Sequence, residues 1–425
     1  MNPAVKLASV NTSRLSPIDL VCSIMDSPRR PLDFALLSHL EDAPSFEALR
    51  AGAHSARNLY PTTGSYIRND YWVRAVHRET GLKTIAVASP QDVARAVESF
   101  LGSPIDLRRE TPVQQLVITN VLNGEVKLLT RFHHAAADGL SAAMWLGHQL
   151  RVARGKESAV AEIFPFEHLA LRTHPAPVKR SRFAFDGPSD RLWTSNTQSE
   201  RTRRWVTIEV SAAEFREGCR TRDFTYNDML ATCALEVFSR WNSLKHNGRK
   251  QRIGLWLPVN IRQNLPQSTG GFGNGTSRIR LYARYNASAT LVEKCREIRR
   301  QMFWSNRHGE WAVPQTTPLN SLPRWAANPL LRCYLNRPGV DMASGVFSHA
   351  ERWTGETGEI FEQVEKLESI GQLHKDYCVA INGATHGDRT WLTFTYDPGL
   401  LAAEDIKLMV EMYQELLLQA RREFA

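Results

Sequence analysis

A chain of 425 residues is too long for one small core and argues for two domains of about 200 residues each. Hydrophobic residues make up 42% and charged residues 23%, the balance of an ordinary globular protein; no run approaches the ~20 apolar residues of a membrane span, and the start (MNPAVKLASVNTSRLSP) lacks an apolar signal core, so no span and a cytoplasmic location are expected. The net charge of +9 points to nucleic acid, an acidic protein or a phosphorylated small molecule, but the basic clusters Val178 to Arg182, Glu200 to Arg204 and Arg296 to Arg300 carry no nucleic-acid fold signature.

In chain order, the spacing predicts a short helix over Leu15 to Met25 after a Ser-Pro entry, a strand over Asp33 to Leu40, and a helix capped by Ser45 with Phe46, Leu49 and Ala53 on one face. Tyr66 to His77 and Lys83 to Ala88 read as strands, and Pro90 to Phe100 as a helix. Gln115 to Val121 and Val126 to His133 form a hairpin whose Asn123-Gly124 is a type I′ turn signal. The hairpin delivers HHAAADG, His133 to Gly139, and a helix follows over Leu140 to Val152.

From Arg154 to Arg204 prolines, serines and basic residues replace periodic apolar positions, which marks a crossover linker. The expected division is therefore 1–165, a linker over 166–204, and 205–425. The second part opens with a strand over Trp205 to Val210. A strongly apolar helix then starts at Asn227 or Asp228, with Leu230, Cys233, Ala234, Val237 and Trp241 on one face. A strand ending at Pro258-Val259-Asn260 leads through Arg262 and Gly270, Gly271 and Gly273 to Asn274-Gly275 and another strand; no strand-GxGxxG-helix unit makes this a dinucleotide site. Leu291 to Met302 reads as a helix, and Trp304 to Tyr334 as an apolar channel lining or core. Two strands and a long helix, with Ile406, Met409, Met412, Tyr413 and Leu416 inward, close the chain. The six cysteines (Cys22, Cys219, Cys233, Cys295, Cys333, Cys378) show no CxxC and no zinc spacing, and read as reduced structural thiols.

Two readings compete for HHAAADG. In one, a buried His ends a strand and Asp138-Gly139 caps the next helix. In the other, one imidazole is a general base held by its neighbour and by the aspartate. A metal site is geometrically poor, because adjacent residues rarely turn both rings to one ion, and no GxSxG elbow supports a serine hydrolase. No metal and no resident cofactor are expected.

HHxxxDG, with the PVNxR…GN layout at Pro258 to Gly275, the T-x-N-D at Thr225 to Asp228 and the closing TYDPGLL, resembles the condensation-type acyltransferases: nonribosomal peptide condensation domains, wax ester synthases and chloramphenicol acetyltransferase-like enzymes. One departure is Ser344-Gly345, where relatives often carry a serine-asparagine pair. The resemblance implies an α/β fold of two chloramphenicol acetyltransferase-like lobes, each a mixed sheet flanked by helices, with a tunnel between them. It implies an acyltransferase that moves an acyl group from a thioester, acyl-CoA or a phosphopantetheinyl carrier protein, to an alcohol or amine. His134 would be the base, His133 a structural neighbour, and Gly139 a position where a side chain would block the backbone or a close approach. Asp138 would be buried against an arginine, either Arg262 or Arg57. Asn274, Gly275, Thr276 and Ser277 would bind substrate and supply oxyanion donors. The LSPxD start favours an alcohol acceptor, and the basic clusters would suit coenzyme A phosphates or an acidic carrier protein. The alternative is a non-catalytic relative that binds an acyl chain or carrier protein.

Overall fold

The computed structural model describes residues 12–26, 32–75, 81–156, 189–198, 202–248, 252–262, 272–283, 288–309, 325–326, 329–330, 333, 343–351, 360–373 and 377–424. Most of the linker, Gly270, Gly271 and most of Trp304 to Tyr334 lie outside these residues. No described helix is long and apolar enough to cross a membrane.

The first half runs β1 (Thr12–Arg14), α1 (Pro17–Met25), β2 (Asp33–Leu40), α2 (Phe46–Leu59), β3 (Ser65–Arg68), β4 (Tyr71–Arg74), β5 (Leu82–Val87), α3 (Pro90–Gly102), β6 (Val113–Asn120), β7 (Val126–His133) and α4 (Gly139–Ala153). Helix starts follow side-chain chemistry. Ser16 and Asp19 form a capping box on α1, and the Ser45 hydroxyl accepts the Ala48 amide on α2. The run expected as strand from Tyr66 is a tight hairpin instead: Asn69 and Asp70 take left-handed φ values of 47° and 65° and separate β3 from β4. The β6–β7 hairpin is present, but its turn is not type I′. Of the Asn123-Gly124 pair only Gly124 is left-handed (φ 74°), and the Asn120 and Asn123 side chains accept the amides of Leu122 and Glu125 in a wider loop.

The second half runs β8 (Arg204–Ser211), α5 (Ala213–Arg220), α6 (Tyr226–Lys245), β9 (Gly254–Asn260), β10 (Thr276–Tyr282), α7 (Leu291–Arg307), β11 (Gly345–Ala350), β12 (Val364–Ile370), β13 (Val379–His386), β14 (Arg389–Tyr396) and α8 (Ala403–Phe424). Thr225, not Asn227, caps α6, and Asp228 closes the capping box from the third helical position.

Three sheets appear among the described residues: β1-β4-β3, β12-β2-β7-β6-β5 and β10-β9-β11-β13-β14-β8. The five-stranded sheet is buried on both faces. Phe34, Leu36, Leu128 and Phe132 pack toward α2 and α4, while their alternate neighbours Ala35, Leu37 and Leu129 pack toward α3, as a two-residue period requires. Helices α5 to α8 cover one face of the six-stranded sheet in the largest core. On the other face Ala384 and Trp391 join the first lobe's core. Strand β12 lies within residues 205–425, assigned by sequence to the second unit, yet it pairs antiparallel with β2 of the first sheet.

Helices α2 and α4 meet at Gly52, where a Cβ would lie 2.3 Å from the Gln149 carbonyl oxygen. Backbone on backbone leaves no side chain to swing away. Gly52→Ala is expected to destabilise the chain by about 1–3 kcal/mol, read as a lower denaturant midpoint with unchanged m.

Candidate active site

The loop after β7 begins where the strand's register ends. Asp33 of β2 stands opposite His133, and the His134 amide donates to the Leu32 carbonyl (2.8 Å). His133 is fully buried. Its Nδ1 accepts the Ala135 amide at 3.0 Å, so in the neutral ring the proton sits on Nε2, which faces Asp26 Oδ1 at 3.5 Å. That ring is fixed in one tautomer and braces the loop.

His134 is partly buried and its ring lies against Phe34, centroids 4.5 Å apart. Burial, and then the neighbouring His133, push its pKa down to about 4, against smaller upward pulls from Asp138, Asp33 and a hydrogen bond to the Ala137 backbone.

Asp138 serves both readings of the motif. Its Oδ1 caps α4 by accepting the Ser141 amide at 2.9 Å. Arg262 grips the same carboxylate with both terminal nitrogens, Nη1 to Oδ2 at 2.7 Å and Nη2 to Oδ1 at 3.0 Å, and the Thr276 hydroxyl donates to Oδ2 at 2.8 Å. Burial would raise this carboxyl, but Arg262 and these hydrogen bonds hold it below the ordinary range. Of the two arginines left open by sequence, Arg262 is the partner. Arg57 instead donates to Thr111 (2.9 Å) and the Val113 carbonyl (3.2 Å), where burial lowers its pKa to about 10.

The glycine-rich segment of the second lobe completes the clamp. Ser141 Oγ donates to the Gly273 carbonyl (2.7 Å) and accepts from Arg262 Nη2 (2.8 Å) and the Gly273 amide (2.9 Å). A Cβ on Gly275 would lie 2.5 Å from the Arg262 guanidinium carbon, so the missing side chain is the space Arg262 occupies. The Asn274 amide donates to the His134 carbonyl (2.8 Å), the Ala135 carbonyl (3.3 Å) and Asp19 Oδ1 (2.7 Å). With its amide so engaged, and the Thr276 proton on Asp138, these two side chains hold the loop and have no hydrogen left for an oxyanion. Ser277 is buried on β10. Gly139 has no left-handed φ, and a Cβ there would meet nothing within 4 Å, so neither strain nor a described neighbour requires glycine.

Sequence reasoning missed Ser141, Asp19 and Asp26. Asp19 lies in the LSPxD segment, which was noted as a pattern and given no role; Ser141 had a signal only as the third residue after a capping aspartate.

Removing one partner of the buried Asp138–Arg262 pair leaves a desolvated charge. Asp138→Ala and Arg262→Ala are each expected to cost about 3–5 kcal/mol, and the double variant clearly less than the sum, in a denaturation double-mutant cycle.

No protein-family model matches the sequence, and no curated protein matches it either. Solved structures do. The nonribosomal peptide synthetase FmoA3 superposes with TM-score 0.71 at 14% identity over 97% of this chain, which spans only 42% of the synthetase chain. The trichothecene 15-O-acetyltransferase TRI3 from Fusarium sporotrichioides gives TM-score 0.68 at 14% identity, covering 96% of this chain and 95% of that one. The starter condensation domain of the rhizomide synthetase RzmA, solved with C8-CoA and Leu-SNAC, gives TM-score 0.68 at 12% identity over 96% and 94%. The chain therefore shares the two-lobed, chloramphenicol acetyltransferase-like fold of these structures.

Proposed function

We propose that the protein is an acyltransferase that moves an acyl group from a thioester to an alcohol or amine, with His134 as general base. The observation that carries this reading is an imidazole packed against Phe34, its pKa held near 4 by burial, on a loop gripped from both lobes. The acceptor's oxygen or nitrogen attacks the thioester carbonyl carbon while His134 takes its proton. The tetrahedral oxyanion then collapses, the carbon–sulfur bond breaks, and the thiolate leaves as a thiol with the proton from His134. The ring ends neutral and no covalent enzyme intermediate forms. His133 and Asp138 position the loop, and Arg262, Asn274, Gly275 and Thr276 position it from the second lobe. Residues 1–165 and 205–425 supply the two lobes, with β12 returned to the first. Thioester binding and acyl transfer by the neighbours RzmA and TRI3, as their names describe, support this reading.

His134→Ala is expected to abolish acceptor-dependent thiol release from a panel of acyl-CoA and acyl-carrier thioesters while keeping the wild-type melting profile. Turnover near wild type by the folded variant would remove His134 from the role. No thiol release by the wild type with any donor and acceptor of the panel would favour the binding-protein alternative.

The pH dependence has a defined sign. Because the folded pKa lies near 4 and the ordinary value near 6.5, His134 stays neutral and able to accept a proton well below neutrality. The acid limb of kcat/KM is expected to fall only as pH drops toward 4. Half-maximal activity near pH 6.5 would show an unshifted base.

A further inference from the structure

Helix α1 meets the histidine loop at both of its ends. Ala135 and Ala136 of the motif are buried in one cluster with Leu15 and Trp72, against Leu20 and Cys22, so the loop shares its apolar contacts with α1 and with β4. At the helix's C-cap, Asp26 accepts the Leu32 amide at 2.8 Å and stands 3.5 Å from His133 Nε2.

Asp19, in the first turn of α1, supplies the polar part of this contact. Its Oδ1 accepts the Asn274 side-chain amide at 2.7 Å, and its Oδ2 accepts the Ser16 backbone amide at 3.2 Å and Trp72 Nε1 at 3.4 Å. Three segments of the chain thus donate to one carboxylate. Burial raises its pKa above the ordinary value, and of the hydrogen bonds that oppose this the one from Asn274 weighs most.

The Asn274 nitrogen has two hydrogens and faces three oxygens: Asp19 Oδ1, the His134 carbonyl at 2.8 Å and the Ala135 carbonyl at 3.3 Å. A flipped amide would set its own oxygen against all three. An ionised carboxylate is the strongest acceptor among them, and it is the one that does not belong to the motif loop. It therefore fixes the amide from α1 and leaves the second hydrogen directed at the His134 carbonyl. The direction of that carbonyl fixes the backbone that carries the ring, which packs on Phe34.

We propose that Asp19 is a positioning residue for His134, its carboxylate turning the Asn274 amide onto the His134 carbonyl so that α1, Asn274 and the loop move as one unit. Its effect on turnover rests on the reading of His134 as the base; its hold on the loop does not.

NMR of the full chain with labelled histidine rings tests this without turnover, the His134 signal being assigned by its loss in His134→Ala. The wild-type ring is expected to titrate near 4. In Asp19→Ala the loosened ring gains solvent, and its pKa is expected to rise by about one unit or more. Asp19→Asn keeps the size but cannot accept from all three donors, and should move the ring the same way by less. Ser16→Ala removes the capping hydroxyl but keeps the amide that donates to Asp19; it should lower the melting temperature and leave the His134 pKa as in wild type. In the thiol-release assay, Asp19→Ala is expected to lower kcat about tenfold with KM within about twofold, and to cost little more in an Asn274→Ala background. A wild-type His134 pKa in either Asp19 variant that melts as a folded protein overturns the proposal. So does an equal rise in Ser16→Ala, or full additivity of Asp19→Ala with Asn274→Ala. A His134 pKa that depends on Asp19, in a wild type that releases no thiol, would keep the positioning role and remove the transfer reading.

Discussion

The site depends on a buried carboxylate and a guanidinium that meet across the two halves of the chain. Asp138 and Arg262 are 2% and 4% exposed, a depth at which an ionised group is tolerated only when its hydrogen-bonding capacity is filled. It is filled here. Asp138 accepts from the Ser141 amide, both Arg262 terminal nitrogens and Thr276, and Arg262 also reaches Ser141 Oγ and the Gly273 carbonyl. Because Arg262 and Thr276 come from the second lobe and Asp138 caps a helix of the first, the loop takes this shape only when both lobes are in place. The geometry of the loop is thus a consequence of docking the lobes, not a property of the motif peptide.

A second buried ion cluster lies on the strand side of the histidines. Asp33 is fully buried, hydrogen-bonded to Arg131 Nε at 2.7 Å, and paired with Arg203 at the end of the linker. Burial would raise its carboxyl, but Arg203 and Arg131 together hold it below the ordinary range. Both carboxylates that bear on His134 are therefore matched by arginines. Their pull toward a charged imidazole is weak, desolvation prevails, and the ring stays neutral. Two buried ion pairs on either side of a histidine would ordinarily be read as a charge relay; here their arrangement does the opposite and leaves the ring uncharged.

The features that were legible in the sequence are those set by local chemistry. Capping serines, the β6–β7 hairpin, the apolar faces of α4 and α6 and the position of the histidine pair at a strand end follow from residue type and spacing within a window. Asp138 as a helix cap was legible for the same reason. What could not be read depends on register between distant segments. Arg57 at the end of a helix and Arg262 just after a strand are both plausible basic partners in sequence, and only the pairing of β9 with β10, which sets Thr276 against Asn260, brings Arg262 beside Asp138. The return of β12 to the first sheet was hidden similarly: VEKLESI has no local mark that distinguishes a strand of one lobe from a strand of the other. The assignment of Asn274 and Thr276 as oxyanion donors treated polar side chains as available, whereas the tertiary contacts had already engaged them.

Strand β10 links these observations. Its two-residue period puts Thr276 on the face that secures the motif aspartate and repeats that face at Arg278 and Arg280, while Ile279 and Leu281 hold the strand to its own lobe. The same alternation that anchors the strand therefore aligns the loop clamp with the cationic row. A slip of one residue would turn Thr276 away from Asp138 and send both arginines into the apolar core, so register selected for packing also fixes the separation between the motif aspartate and the basic row.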